Sequence, residues 1–355
     1  MQHADEFAGQ LTFKRLGVYA LVGIVCAAAT AFGCSLIGQT RIDITGGLGW
    51  QVWNWPVWGH EYWPGQQTWL LRLTRLTTAG ITGAALAASG MALQGLLRNP
   101  LAEPYILGIS SGAGVGVILG PVLAGSLGLA AWLTMPVLAL SGALLTCGIV
   151  YSIAQRRGRL DPYVLLLSGV IVSVFNSALI LGVMLFAKRN ELLAYIGWGM
   201  GRLSDLNDAR LLIACGLCVL GGWVLLLLRG AAFNTLGLGD DVAASGGVPI
   251  HYLRVETFVV VGLMTACAVA LAGPIGFLGL IVPHIARILV GADHRRLVLV
   301  SGFAGAMALM LADTLARTAG GWINVGDIPV GIITALAGGP FFIYLLRRRF
   351  KEKMT

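Results

Sequence analysis

Apolar stretches of about 20 residues recur along the whole chain, and charged residues are almost confined to the segments between them. Each stretch is long enough to cross the ~30 Å hydrocarbon core of a bilayer as a helix. A helix satisfies its own backbone hydrogen bonds, which is required where water is absent. Only 11% of the residues are charged, whereas soluble domains carry about 25%. The sequence therefore predicts an all-α integral membrane protein.

The apolar pattern predicts ten transmembrane helices in a single domain that covers residues 1–355. The first candidate span is longer than the apolar core of a signal peptide, so we expect it to be retained. The third and eighth are short and interrupted by Gly or Pro. The candidate spans are residues 17–38, 76–97, 105–125, 128–154, 163–187, 210–228, 255–273, 276–290, 297–318 and 328–346.

The positive charges orient this bundle in the membrane. With the N-terminus inside, the cytoplasmic segments hold about two-thirds of the 24 lysines and arginines, as the positive-inside rule requires. We therefore expect both termini to be cytoplasmic. The net charge of +8 does not indicate binding of nucleic acid, because the cations lie between apolar runs and at the C-terminus rather than on one continuous face.

A hydrophilic segment on the predicted outer side, residues 39–71, is rich in tryptophan. An aromatic belt at the membrane interface is the simpler interpretation, and a surface shaped for a partner or ligand is the alternative. Its tryptophans are Trp50, Trp53, Trp55, Trp58, Trp63 and Trp69.

A second hydrophilic segment, residues 230–254, lies on the predicted cytoplasmic side. Asp240 and Asp241 favour the start of a short helix, where their charge meets the positive end of the helix dipole. Gly247, with its neighbours Gly246 and Pro249, favours the end of that helix. A compact helical elbow outside the membrane indicates contact with another subunit.

Glycines recur every four residues in the third candidate span and predict a ridge that lets another helix approach closely. They are Gly108, Gly112, Gly116 and Gly120. A nucleotide-binding loop is a poor alternative, because the strand that precedes such a loop is missing from the pattern. None of the lysines follows a glycine, so the chain has no P-loop of the Gly-Lys-Ser/Thr type, and an ATP-driven role requires a separate ATPase chain.

No catalytic or metal-ligand pattern is found among the cysteines and histidines. Cys215 and Cys218 have the spacing of a ligand pair, but they lie in an apolar run without a second pair, which favours small buried residues. His284 follows Pro283 in the interrupted eighth span. A structural histidine at a helix break is the simpler interpretation, and a role with substrate or protons is the alternative.

Three arginines lie at predicted outer ends of spans. Arg72 and Arg75 are neighbours on one helix face, and Arg317 follows Asp313 by one helical turn. A charge at the bilayer centre costs about 2.5–3.5 kcal/mol, and less at a helix end where the side chain reaches water. Two interpretations stay open. The arginines anchor the helices at lipid headgroups, with an Asp313–Arg317 pair, or they form a cationic rim that receives carboxylates from an extracytoplasmic partner.

Several long motifs occur in order from the second span to the last. They are residues 88–114, residues 273–287 followed by 293–295, residues 311–317 and residues 327–341. Together they closely resemble the iron–siderophore, haem and cobalamin permease family of the FecCD type. The first span and the Trp-rich outer segment lack this resemblance.

The resemblance implies the type II fold of ABC importer permeases, with ten helices, in a bacterial inner membrane. It also implies a second copy of the chain, two ATPase subunits that use ATP and Mg²⁺, and an extracytoplasmic binding protein, with no cofactor on this chain. The substrate would be an iron–siderophore complex, haem or cobalamin, and an oxyanion is the alternative. An ion-coupled transporter with Asp313 as its acidic group, or a membrane receptor, are the rival classes.

The resemblance also assigns roles to individual residues. The expected docking arginines for the binding protein are Arg72, Arg75 and Arg317. The expected ATPase-coupling residues are Leu238, Gly239, Asp240, Asp241, Ala243 and Gly247. The fifth span would line the translocation pathway, with Asn176, Ser177 and Met184.

Overall fold

The structure is a computed structural model that describes residues 13–37, 64–127, 131–156, 159–203, 208–323 and 326–354. Most of the Trp-rich outer segment, residues 39–63, lies outside the described residues. The two interpretations of that segment therefore stay predictions.

Helices dominate the described chain. They are α1 (Phe13–Leu36), α2 (Pro64–Leu97), α3 (Ile109–Leu127), α4 (Ala131–Ala154), α5 (Pro162–Met184), α6 (Arg189–Gly199), α7 (Ala209–Leu228), α8 (Gly230–Gly237), α9 (Asp240–Ser245), α10 (Ile250–Ala272), α11 (Leu278–Val290), α12 (His294–Trp322) and α13 (Val330–Met354). A 3₁₀ turn, Pro104–Leu107, precedes α3. Two-residue strands, Gln155–Arg156 and Arg159–Leu160, pair antiparallel between α4 and α5.

Within the described residues, seven helices are long and apolar enough to cross a membrane: α1, α2, α4, α5, α7, α10 and α12. Three shorter apolar helices, Ile109–Pro121, Leu278–Val290 and Val330–Leu345, complete the set of ten that the sequence predicts. The chain is therefore a multi-pass membrane protein, and the predicted all-α fold is confirmed.

The helices α2 and α10 form the centre of the bundle. Of the most apolar window of each helix, 78% is buried inside the protein. In α1 that fraction is 0%, and in α7 it is 28%. Because lipid tails are as apolar as leucine, the outer helices can leave large apolar side chains uncovered within the chain. Because α2 and α10 are surrounded by other helices, polar side chains at their ends contact several neighbouring helices.

Close helix contacts depend on glycine, as two examples show. A Cβ atom on Gly83 of α2 would overlap the carbonyl oxygen of Gly305 in α12. A Cβ atom on Gly116 of α3 would overlap the carbonyl oxygen of Leu138 in α4. Small residues let membrane helices pack backbone to backbone, where dispersion and weak hydrogen bonds replace the hydrophobic effect.

The predicted ridge differs from the observed one at its first position. Gly108 does not lie on α3, because it ends the preceding 3₁₀ turn with φ of 77°. Gly112 and Gly116 both approach the backbone of α4 closely, whereas an added Cβ on Gly120 would meet Leu138 at an ordinary 3.6 Å. The 3₁₀ turn shifts the start of the helix to Ile109. The four-residue spacing of the glycines therefore continues across the boundary between the turn and α3.

Several predicted boundaries were wrong. The second membrane span begins at Trp69 rather than at residue 76, and its helix α2 begins at Pro64. The third span begins at Ile109 rather than at residue 105. The helix α6, between the fifth and sixth spans, was not predicted. A search for apolar runs detects membrane spans, and it fails where a helix carries charge, as α6 does at Arg189 and Glu191.

His284 and Cys215 have structural surroundings. The His284 ring packs edge-on against Phe341 of α13, with ring centroids 5.8 Å apart. Cys215 is buried in α7, and the described cysteines are not in disulfides. A search of the described residues found no group of three metal-ligating side chains.

Candidate functional site: two polar clusters at opposite ends of α2

The helix α2 carries arginines at both of its ends. Arg72 and Arg75 lie near its start, and Arg98 follows its last residue. At a rise of 1.5 Å per residue, Arg72 and Arg98 are about 39 Å apart along the helix axis. This distance exceeds the ~30 Å hydrocarbon core, so the two arginine positions lie on opposite sides of a membrane that α2 crosses.

Arg72, Arg75, Asp313, Arg317 and Asp327 lie at the predicted outer end of α2 and are called the outer cluster; Asp313 is at its centre. The Arg75 Nε donates to both Asp313 carboxylate oxygens, at 2.9 Å and 3.1 Å. The Arg317 Nε donates to Asp313 Oδ2 at 3.1 Å, one helical turn away. The predicted Asp313–Arg317 pair is therefore confirmed, and Arg75 from α2 shares the same carboxylate.

Further contacts extend the outer cluster in two directions. Arg75 Nη1 donates to Asp327 Oδ2 at 2.8 Å, in the segment before α13. Arg72 Nη1 donates to the carbonyl oxygen of Ser35 at 3.0 Å, at the end of α1. The arginines of α2 and α12 thus connect three helices, α1, α2 and α12, and the segment before α13 at one end of the bundle.

These side chains are deeply buried within the chain. Asp313 is 0% exposed, Arg75 is 3% exposed and Arg317 is 8% exposed. Side chains held in this way do not extend to lipid headgroups, so the structure does not favour the anchoring interpretation. A partner's carboxylate would have to insert among the guanidinium groups rather than meet them on an exposed rim.

The cluster at the other, predicted inner, end of α2 is called the inner cluster, and it is an elbow formed by α8 and α9. The predicted start of a short helix at Asp240 is confirmed, because α9 begins there. α9 ends in a Schellman motif, in which Val248 N donates to Ala243 O at 2.9 Å and Gly247 N donates to Ala244 O at 3.0 Å. Gly247 has φ of 78°, a left-handed conformation that glycine adopts without strain.

The elbow has one buried face and one exposed face. Phe233, Leu236 and Ala243 are fully buried against the bundle. Leu238, which follows α8, is 73% exposed and Val242 of α9 is 48% exposed, with Asp241 exposed next to Val242. The side chain of Ala243, one of the expected coupling residues, faces the bundle, whereas that of Val242, which was not among them, is exposed. The coupling role of these residues stays a prediction.

Polar contacts hold α8 to its neighbours. Asn234 Nδ2 donates to Asp293 Oδ1 at 3.0 Å, and His294 N donates to Asn234 Oδ1 at 2.8 Å, at the start of α12. Arg229 Nε donates to Glu256 Oε2 at 2.8 Å, in α10. The elbow is thereby attached to two membrane-spanning helices.

The expected pathway residues on α5 are not brought together on one face. Asn176 is buried, and its amide donates to Ser111 Oγ at 3.1 Å and Thr146 Oγ1 at 3.2 Å. It therefore attaches α5 to α3 and α4. Ser177 is exposed on the other side of α5, where its hydroxyl donates to the Ser173 carbonyl oxygen, and Met184 is half-buried near the end.

A loop-to-loop contact stabilises the interrupted eighth span. The Glu103 carboxylate accepts the Phe277 N–H at 2.6 Å, and the Tyr105 hydroxyl accepts the Ile275 N–H at 2.9 Å. Phe277 has φ of 68°, so these bonds hold a conformation that bulky residues rarely adopt. Burial raises the pKa of the Glu103 carboxyl above its ordinary value, although the Phe277 N–H opposes that rise.

The sequence of this chain matches a known protein family. The model of the FecCD transport family matches residues 28–348. The chain belongs to the FecCD transport family. Family members are membrane permeases of ABC transporters, so this chain is a transport subunit of the importer type and not the ATPase.

Relatives of this FecCD-family chain support the assignment. The uncharacterised ABC transporter permease YvrB of Bacillus subtilis is 38% identical over 282 residues, which is 79% of this chain and 78% of YvrB. The vitamin B12 import permease BtuC of Yersinia pestis is 36% identical over 301 residues, 84% of this chain and 86% of BtuC. BtuC of Klebsiella pneumoniae is 40% identical over 280 residues, 79% of this chain and 82% of BtuC.

A solved structure also matches the FecCD-family chain over most of its length. It is described as a metal-chelate type ABC transporter in an inward-facing conformation. The TM-score is 0.75 at 28% identity, covering 94% of this chain and 99% of the other. The type II importer permease fold is thereby shown.

Some ion-pair partners of residues in the FecCD-family chain could not be predicted from its sequence. It identified Arg75 and Asp240 but not the groups that bind them. Asp327 is 252 residues from Arg75, and Arg254 is 14 residues from Asp240. A pattern of local spacing predicts neighbours within one helix, and it holds no information about partners on other elements.

Gly247→Ala is expected to destabilise the α9 elbow by about 1–2 kcal/mol, because a Cβ atom is strained at this positive φ. Amide hydrogen exchange of residues 240–248 should then be about 5–30 times faster. Gly246→Ala is the matched control, since Gly246 has φ of −78° and the nearest atom to its added Cβ would be 3.3 Å away. Equal exchange rates in the two variants would contradict this account of the turn.

Proposed function

We propose that this FecCD-family chain is the membrane-spanning permease of a binding-protein-dependent ABC importer for a metal chelate. In this proposal two copies of the chain assemble with two ATPase subunits, which use ATP and Mg²⁺, and a binding protein docks from outside. The complex works by alternating access in the bacterial inner membrane, with both termini of the chain in the cytoplasm. The observation that carries the proposal is the pair of polar clusters at opposite ends of α2.

The outer cluster is proposed to dock the binding protein. Arg72, Arg75 and Arg317 bring three guanidinium groups together at one end of α2, beside Asp313 and Asp327. A buried group of this kind attracts carboxylates strongly, because the low dielectric of its surroundings increases the interaction. Glutamates or aspartates on the binding protein would be the groups that dock at these arginines.

The exposed face of the elbow is proposed to seat in the ATPase. Leu238 and Val242 are exposed apolar side chains of the elbow, and the charged Asp241 is exposed next to Val242. An apolar centre with a polar rim is the usual arrangement of a protein–protein contact. Movement of the ATPase subunits on ATP binding would then be transmitted through α8 and α9 into the bundle.

Cobalamin is the first substrate to test. Two relatives at 36% and 40% identity are named as vitamin B12 import permeases, and the solved structure is described as a metal-chelate type transporter. Cobalamin belongs to both descriptions. The iron–siderophore complexes and haem that the sequence resemblance implies are further metal chelates for the same assay.

Arg72→Gln tests the docking proposal with little disturbance of the Asp313 pairs. In proteoliposomes with the ATPase and the binding protein, we expect this variant to weaken docking at least tenfold, equivalent to about 1.4 kcal/mol for one lost ion pair. ATP-dependent uptake of labelled cyanocobalamin should fall in parallel at limiting binding protein.

Arg189→Gln is the matched control for this experiment. Arg189 is an exposed arginine at the start of α6, on the same predicted side of the membrane. Docking should keep its wild-type affinity in this variant. If Arg72→Gln also docks with wild-type affinity, the outer cluster is not the docking site. If the wild-type vesicles take up haem or a ferric siderophore but not cobalamin, the choice of cobalamin is wrong.

A further inference from the structure

Asp240, at the start of α9, is held by two arginines from outside the elbow. Arg254 Nη2 donates to Asp240 Oδ2 at 2.7 Å, and Arg98 forms an ion pair with Asp240 Oδ1. Arg254 lies in the first turns of α10, and Arg98 directly follows α2. One carboxylate of the elbow is thereby attached to the two central helices of the bundle.

The backbone at Arg98 indicates what its side chain contributes. Asn99 N donates to Gln94 O at 3.2 Å, so α2 ends in a Schellman motif with Arg98 in the left-handed position. Arg98 has φ of 49°, where glycine is the residue that fits without strain. The backbone of this turn is therefore not stabilised by having arginine at position 98. The ion pair of the Arg98 side chain with Asp240 is the stabilising contact that this arginine supplies.

The exposure of this contact suits a link that moves. The side chains of Arg98 and Asp240 are 41% and 42% exposed, whereas that of Arg254 is 15% exposed. A half-exposed ion pair contributes little to stability and reforms readily. The Arg98 contact can therefore transmit a displacement of the elbow to α2 without fixing one conformation of the bundle.

We propose that Arg98 and Arg254 are positioning residues that link the coupling elbow, through Asp240, to α2 and α10. This inference rests on the proposed function, in which the elbow seats in the ATPase and the other end of α2 receives the binding protein. A displacement at Asp240 then reaches the docking cluster at the far end of α2 along one continuous helix. The link also works in reverse, so docking outside should alter ATP hydrolysis inside.

Arg98→Gly tests this link without disturbing the turn. Glycine fits the positive φ at this position, so the end of α2 is preserved while the ion pair is lost. Arg98→Lys keeps the charge and is the matched conservative variant. Each variant is purified with its ATPase partner, reconstituted in liposomes and assayed for the change in ATP hydrolysis on addition of the binding protein.

We expect Arg98→Gly to reduce the response of ATP hydrolysis to the binding protein by roughly two- to fivefold, in line with one half-exposed ion pair. Arg98→Lys should keep most of the response, and the ATPase should co-purify with both variants as with wild type. A wild-type response in Arg98→Gly would overturn the link. Absence of any response in the wild-type complex would instead refute the proposed coupling between the two ends of α2.

Discussion

Replacing Asp313 with Asn is expected to destabilise the protein by about 3–5 kcal/mol, because two buried arginines lose their shared counter-ion. Asp313 is 0% exposed and lies between Arg75 and Arg317. The amide of Asn has nearly the same shape, so the loss reports the charge rather than a cavity. Thermal unfolding of the purified chain in detergent, followed by the monodisperse fraction that remains, measures the effect.

Asp327→Asn is the control for this prediction. It removes the second carboxylate that contacts Arg75, but the Asp327 side chain is 26% exposed. Water then compensates for part of the lost interaction, and the expected cost is about 1–2 kcal/mol. If both variants unfold at the same temperature, Asp313 does not have the central role that its position between two arginines indicates.

The second large effect is expected from Gly116→Ala, which should destabilise the α3–α4 contact by about 1–3 kcal/mol. An added Cβ atom would overlap the carbonyl oxygen of Leu138, and backbone atoms cannot move aside as a side chain can. The two helices would have to separate, and the neighbouring contact at Gly112 would loosen with them.

Gly120→Ala, one helical turn further along α3, is the matched control. Its added Cβ would lie 3.6 Å from a side-chain atom of Leu138, which is ordinary contact. Alanine also favours helix over glycine by up to about 1 kcal/mol, so this variant should be as stable as wild type or slightly more so. Equal destabilisation at both glycines, measured by thermal unfolding in detergent, would show that the contact at Leu138 is not close.

The membrane fold could be predicted from sequence because each span satisfies its hydrogen bonds within one segment. The predicted limits of α7 and α11 lie within two residues of the observed ones for this reason. α6 was missed because its charged residues, such as Arg189, interrupt the apolar pattern. The break at Gly108 was also missed, since a 3₁₀ turn and an α-helix have the same hydropathy.

The candidate sites could be predicted in part. Helical spacing placed Arg72 beside Arg75 and paired Asp313 with Arg317, because residues three or four apart share a helix face. The end of α9 at Gly247 followed from the preference of helix ends for glycine. The pathway role of Asn176 stays a prediction. Its hydrogen bonds to α3 and α4 could not be predicted, because the spacing on one helix does not show which neighbours surround it.

The sequence by itself determined that the chain is a bundle of about ten membrane helices, and its motifs indicated the FecCD family. Both properties depend on short stretches of residues that can be recognised locally. Only the tertiary structure decided that Arg75 and Arg317 share one carboxylate, and that Asp240 contacts the ends of α2 and α10. Ion pairs between distant elements depend on how helices pack, and packing in a membrane is set by close fit rather than by hydropathy.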